Sequence, residues 1–195
     1  MYCKKKAPRP WTLTDPKLRE LDLLVKRLSN LEQAMRRECC RLEDPWLPTS
    51  VQQSIRASIA SHQEHVASIL RTIEERLADM PEQRAMIRAL VREPGVGERT
   101  AIRALCHFEW GVAKFESAQQ AAAAVGLNPV LQQSGQHCGK TKISKHGPAG
   151  LRADIYMAAV SASSWNPVVR TFYEGLQSRG LPKAAGIMAC ARKLI

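Results

Sequence analysis

The chain has no stretch of 18 or more consecutive apolar residues, so no transmembrane helix is expected. Its first residues, MYCKKKAPRPW, lack the apolar segment of a secretory signal. The six cysteines (Cys3, Cys39, Cys40, Cys106, Cys138 and Cys190) form no CxxC pair or other zinc spacing. Reduced thiols in a cytoplasmic protein are therefore the simplest expectation. No convincing run of strand-like alternation is found either. With strands, membrane spans and a disulfide or zinc framework set aside, 45% apolar content over 195 residues still leaves material for one or two helical domains.

Acidic residues are missing where basic ones are concentrated. Residues 1–14 hold four basic groups and no carboxylate, and residues 15–130 hold 16 of each sign. Residues 131–195 hold nine basic groups against Asp154 and Glu174 alone. The net charge of +11 therefore sits at the two ends. A basic region this lopsided favours a polyanionic partner, of which nucleic acid is the commonest.

After the basic leader (1–14), Thr14-Asp15-Pro16 offers a helix N-cap followed by proline in the first turn. Leu18, Leu21, Val25, Leu28, Met35, Cys39 and Leu42 then keep 3-4 spacing, interrupted at Glu32. Pro45 and Pro48 end that helix. A second seam runs through Ile55, Ile59, His62, Val66, Ile69, Ile73, Leu77 and Met80, with His62 expected as a packed core residue. Residues 15–80 thus predict an antiparallel coiled-coil hairpin that mediates homo-oligomerisation.

Residues 81–195 predict a small helical domain, so the fold class is all-α with one long basic loop. Around 85–108, two helices flank Pro94-Gly95-Val96-Gly97, the pattern of a helix-hairpin-helix. There, Gly95 and Gly97 would let the backbone approach a nucleic-acid phosphate, with a helix N-terminus behind them. An ordinary corner between helices is the competing interpretation of the same glycines. Gly126 is the expected C-cap of a short helix over 117–125, and Asn166-Pro167 restarts a helix after 148–165. Between them lies QQSGQHCGKTKISKHG (132–147), almost without apolar anchors. It joins Ser134 and Gly135 to Lys140, Lys142 and Lys145.

The succession PGVG…RTAIRAL, FESAQQAAAAVGLNP, QQSG-x4-K-x-KISKHG-x3-LR-x3-YMAA and NPVVRTFYEGLQSRGLPKAAGIMACARKLI resembles one family over about residues 85–195. It is the C-terminal domain of insertion-sequence transposases related to Piv-type DNA invertases, the DEDD recombinases, some of which are guided by a bridge RNA. Residues 9–80 are similar to the coiled-coil linker of that family. The resemblance implies DNA as partner, a structured guide RNA as a further one, and Ser134 as the nucleophile that attacks DNA. Gly135 would then give close approach, and Lys140, Lys142, Lys145 and Arg152 would contact the nucleic-acid backbone. It also implies an RNase H-like domain whose DEDD carboxylates bind a divalent metal such as magnesium.

No catalytic carboxylate pattern occurs in residues 15–130, so this chain itself is expected to hold no metal or other cofactor. The chain begins where the linker begins, and ARKLI reads as mid-helix; a truncated or partial copy, inactive alone, is the expectation. A non-catalytic nucleic-acid-binding and oligomerisation module is the alternative. A tyrosine recombinase, using Tyr156 or Tyr173, is disfavoured because none of the five histidines begins an HxxR triplet.

Overall fold

The computed structural model describes residues 15–108, 115, 117–130, 133–134, 137–138 and 141–195. The basic leader, Gly135 and Lys140 lie outside the described residues. The chain divides into two compact units, residues 14–84 and a second built on residues 85–195. Eight helices and four two-residue strands occur among the described residues, and the all-α expectation holds.

The first unit is a helical hairpin. Helix α1 (Pro16–Arg41) starts where Asp15 accepts a hydrogen bond from the Lys17 amide at 2.9 Å, with proline at the N-terminal turn. Its buried stripe is Leu18, Leu21, Val25, Leu28 and Leu31. Leu31 takes the inward position that strict heptad counting assigns to Glu32, because 3.6 residues per turn drifts against a repeat of 3.5. Asp22, also buried, pairs with Lys26 at 2.6 Å one turn on.

Helix α2 (Thr49–Ala78) returns after a turn in which Asp44 accepts from the Trp46 amide at 3.0 Å. Arg76 meets Glu20 at 2.8 Å, which fixes the antiparallel direction. Ile55, Ile73 and Leu77 are buried, whereas Ile59, His62, Val66 and Ile69 between them are only half-buried. Helix α3 (Pro81–Val91) begins in this unit and runs into the second.

The second unit is assembled around one long helix. It contains α4 (Glu98–Phe108), α5 (Ala118–Val125), α6 (Ala149–Trp165), α7 (Pro167–Ser178) and α8 (Lys183–Lys193). Helix α6 packs against α4, α5, α7 and α8. Small side chains on it, Ala158, Ala159 and Ala162, are buried with Leu151 and Ile155 and let neighbouring backbones come close. Ser117 caps α5 by accepting from the Gln120 amide at 3.3 Å. Asn166 caps α7 through the Val168 and Val169 amides, and Pro167 fills its first turn. Arg103 on α4 and Asp154 on α6 form an ion pair at 2.5 Å. No helix among the described residues is long and apolar enough to cross a membrane.

Candidate nucleic-acid interface

Between α5 and α6 the chain forms two short antiparallel strand pairs instead of an unpaired loop, a ribbon in two separate pieces. β1 (Pro129–Val130) pairs with β4 (Lys142–Ile143), in the register Pro129 to Ile143 and Val130 to Lys142. Nested inside them, β2 (Gln133–Ser134) pairs with β3 (His137–Cys138), so that Gln133 faces Cys138 and Ser134 faces His137. Ser134 thus belongs, with His137, to the innermost described pair.

The root of the ribbon is built from GLNP and KISKHG. Helix α5 closes with Gly126 in the left-handed region at φ 78°, and the Leu127 amide donates back to the Ala122 carbonyl at 2.9 Å. The returning strand lies against that closure. The Ser144 amide donates to the Asn128 carbonyl at 3.0 Å and the Lys145 amide to the Gly126 carbonyl at 3.1 Å. The Ser144 hydroxyl donates to Asn128 Oδ1 at 2.5 Å. Lys145 turns the chain with φ 59°, a conformation non-glycine residues adopt rarely. Gly147 then passes against the end of α5 with no room for a side chain.

Arg152, from the first turns of α6, donates through Nη1 to the Val125 carbonyl at 3.1 Å and to the Gly147 carbonyl at 3.2 Å. One guanidinium therefore holds the end of α5 and the end of the returning strand together. Lys142, Lys145 and His146 are exposed beside it. From residue 117 to residue 153 the sequence has no carboxylate. Positive charge on this stretch thus goes without neutralisation from within it.

The two glycines of PGVG differ in what they face. Gly95 has φ 102°, and a β-carbon on it would lie 2.6 Å from the Ala162 amide nitrogen and 2.8 Å from the Ala158 carbonyl oxygen. Its glycine character follows from close packing on α6. Gly97 has nothing within 4 Å of such a β-carbon, is exposed, and accepts the Ala101 amide at 3.0 Å as α4 begins. Of the pair, Gly97 offers the open backbone.

Asn128, Ser144, Gly147 and the carbonyl contacts of Arg152 were absent from the sequence-derived site. The only signal for them lies in how GLNP and SKHG pair across an intervening dozen or so polar residues. A separate cavity of about 540 Å³ is lined by Met86, Leu90, Ala104, Phe108, Leu194 and Ile195, and only Glu93 and Thr100 add polar groups there. It brings no set of titratable groups together. Among the described residues, no group of three or more His, Cys, Asp or Glu side chains is placed to hold a metal ion. A divalent metal therefore finds no fitting donor set in them.

Residues 87–174 match the model of the family described as "Transposase IS116/IS110/IS902 family". That span contains every candidate site residue: Gly95, Gly97, Ser134, Gly135, Lys140, Lys142, Lys145 and Arg152. The chain is also similar to "Insertion element IS110 uncharacterized 43.6 kDa protein" of Streptomyces coelicolor, at 27% identity over 138 residues. The alignment covers 71% of this chain and 34% of that protein, so it reaches about a third of the relative's length. Both similarities support a transposase-related role.

Proposed function

We propose that this chain is the DNA-binding C-terminal part of an insertion-sequence transposase, and that Ser134 is its nucleophile. The observation that carries the reading is positional: Ser134 belongs to the innermost described pair of a ribbon, and Lys142 and Lys145 lie on its returning arm. A two-stranded segment of this kind can enter the major groove of a duplex. Its lysines neutralise phosphates on either side of the scissile one.

Attack by Ser134 forms an oxygen–phosphorus bond, breaks one bond to a deoxyribose oxygen, and leaves a covalent protein–DNA ester. A serine hydroxyl is a weak nucleophile at neutral pH, so its proton has to be taken as it attacks. The carboxylate set and divalent metal for that task are supplied by a DEDD domain in the active assembly; bound metal would promote loss of that proton and polarise the phosphate. Lys142 and Lys145 stabilise the added negative charge. The turn at Gly97 supports the duplex as the second half of a helix-hairpin-helix, and the helical hairpin joins protomers as a coiled coil.

The test uses the full chain, alone and fused to a DEDD carboxylate domain. Alone it binds duplex DNA and leaves it uncut, with or without magnesium. Fused, it forms an adduct through a phosphoserine bond, which Ser134→Ala removes while DNA affinity stays nearly unchanged. An adduct that survives Ser134→Ala, or that maps to Tyr156, overturns the assignment. DNA binding with no adduct from the unsubstituted fusion favours a non-catalytic binding module.

A further inference from the structure

We infer that Arg152 is a positioning residue, one that sets where Ser134 stands by locking the root of the ribbon, and that it is not a phosphate contact. The inference rests on the reading of Ser134 as nucleophile and goes beyond it by assigning the residue that aims it. Sequence reasoning groups Arg152 with the DNA-binding lysines because it is basic and follows them. Its hydrogen bonds give it a different task.

The guanidinium donates to Val125 and Gly147 at 3.1 and 3.2 Å. Val125 is the last residue of α5 and is fully buried; Gly147 is the last residue before Pro148 and α6. These are the points where the chain leaves one helix for the ribbon and comes back to the other. A carbonyl at a helix C-terminus has no intrahelical donor, and charged donors make its strongest partners. The same root carries three further ties: Ser144 to Asn128 twice, and Lys145 to Gly126. The close contact of Gly147 with α5 leaves no slack between the arms.

Leverage makes this matter for chemistry. Ser134 is seven residues beyond Leu127 on the outgoing arm. Seven residues of extended chain span up to about 23 Å, so Ser134 can stand well away from the root. A small rotation at the root therefore becomes a displacement of an ångström or more at the tip. Displacements of about 1 Å in a reacting group lower rates by up to about a hundredfold.

The experiment compares wild type with Arg152→Gln in three measurements. Amide hydrogen exchange at Ser144 and Lys145 is followed on the full chain alone. The salt dependence of duplex DNA binding is measured on the same protein. Adduct formation at saturating DNA is measured in the DEDD fusion. The expected result is faster exchange at both amides, an unchanged salt slope, and an adduct rate lower by about ten- to a hundredfold.

A salt slope shallower by about one, with exchange unchanged, makes Arg152 a phosphate contact and overturns the inference. An adduct rate equal to wild type, with exchange raised, overturns it as well, since the root would then not aim the tip. If Arg152→Gln fails to fold, Arg152→Lys replaces it. Lysine keeps the charge but is shorter, so its ammonium does not reach the two carbonyls that Nη1 bridges, whereas a surface phosphate contact survives the change. Failure of the Ser134 reading is recognised separately, as absence of any adduct from the unsubstituted fusion.

Discussion

A β-carbon placed on Gly147 would lie 2.2 Å from the carbonyl oxygen of Ala124. The neighbouring atoms at Val125 are also backbone, at 2.4 and 2.6 Å, so no side-chain rotation relieves the contact. Gly147→Ala must either lift the returning arm from α5 or bend the end of that helix. A loss of about 1–3 kcal/mol is expected, read as a lower midpoint in urea. Gly175, inside α7 with nothing within 4 Å of its β-carbon position, is the contrasting site. Gly175→Ala should raise stability by about 0.5–1 kcal/mol, because alanine loses less backbone entropy in a helix.

The lysines of the ribbon should act through charge alone. Replacing Lys140, Lys142 and Lys145 together by Ala should weaken binding to all duplex sequences alike. It should also make the slope of log affinity against log salt shallower by about three. Lys145→Gly separates the backbone from the charge: glycine accepts φ 59° without strain, so stability is kept or slightly raised while affinity falls. Gly97→Ala should reduce DNA affinity, with only the loss of about 1 kcal/mol expected at a helix N-cap, whereas Gly95→Ala should lower the urea midpoint further through its contact with α6. An unchanged and salt-independent affinity in the triple variant would identify the basic ribbon as a merely solubilising surface.

Burial pushes the Cys190 thiol above its ordinary pKa. In the folded state the proton is held more tightly than in the unfolded chain. The resulting contribution to stability is complete below the unfolded thiol range, near about 8.5, and is lost as pH rises through it towards the folded value. Cys190→Ala or Cys190→Ser should therefore flatten the alkaline limb of a plot of stability against pH. Alkylation followed by peptide mapping gives a second check. Exposed Cys39 and Cys40 should be modified in native protein at mildly alkaline pH, and buried Cys106 and Cys190 only after unfolding.

The middle of the helical hairpin leaves apolar surface half-covered at Ile59, Val66 and Ile69, with Leu70 38% exposed beside them. Two helices alone cannot enclose such a stripe, and a second copy would supply the missing wall. Sedimentation at rising concentration should show self-association. Val66→Glu with Ile69→Lys should abolish it while helix content stays the same. A strict monomer at high micromolar concentration would sink this expectation.

What could be read from the residues divides by range. The starts of α1 and α7 and the end of α5 were legible because their signals are local: Asp15 before Pro16, Asn166 before Pro167, Gly126 after an alanine run. The break at Pro45 and Pro48 is of the same kind. Leu31 in place of Glu32 shows where a rigid heptad count fails by one position. The ribbon escaped notice because each strand is two residues long and no apolar alternation marks it; its pairing depends on Asn128 meeting Ser144 across 16 positions. Gly95 reads equally well as a phosphate turn until α6 is known to cross it. Arg152 reads as one more cation until its two carbonyl partners are in view.

Nested pairing around a fixed root also determines how such an arm changes length. The ties at Gly126, Asn128, Ser144, Gly147 and Arg152 all lie below the first rung, so insertions and deletions beyond it leave them intact. Within either paired stretch, one residue added to each arm would extend it by about 3.3 Å and, because strand faces alternate with a period of two, turn the residues beyond it to the opposite side. Two residues added to each arm extend it by about 6.6 Å and restore the original side. Arm length in relatives built this way is therefore expected to vary in matched pairs of residues, a parity rule with its origin in the pleat.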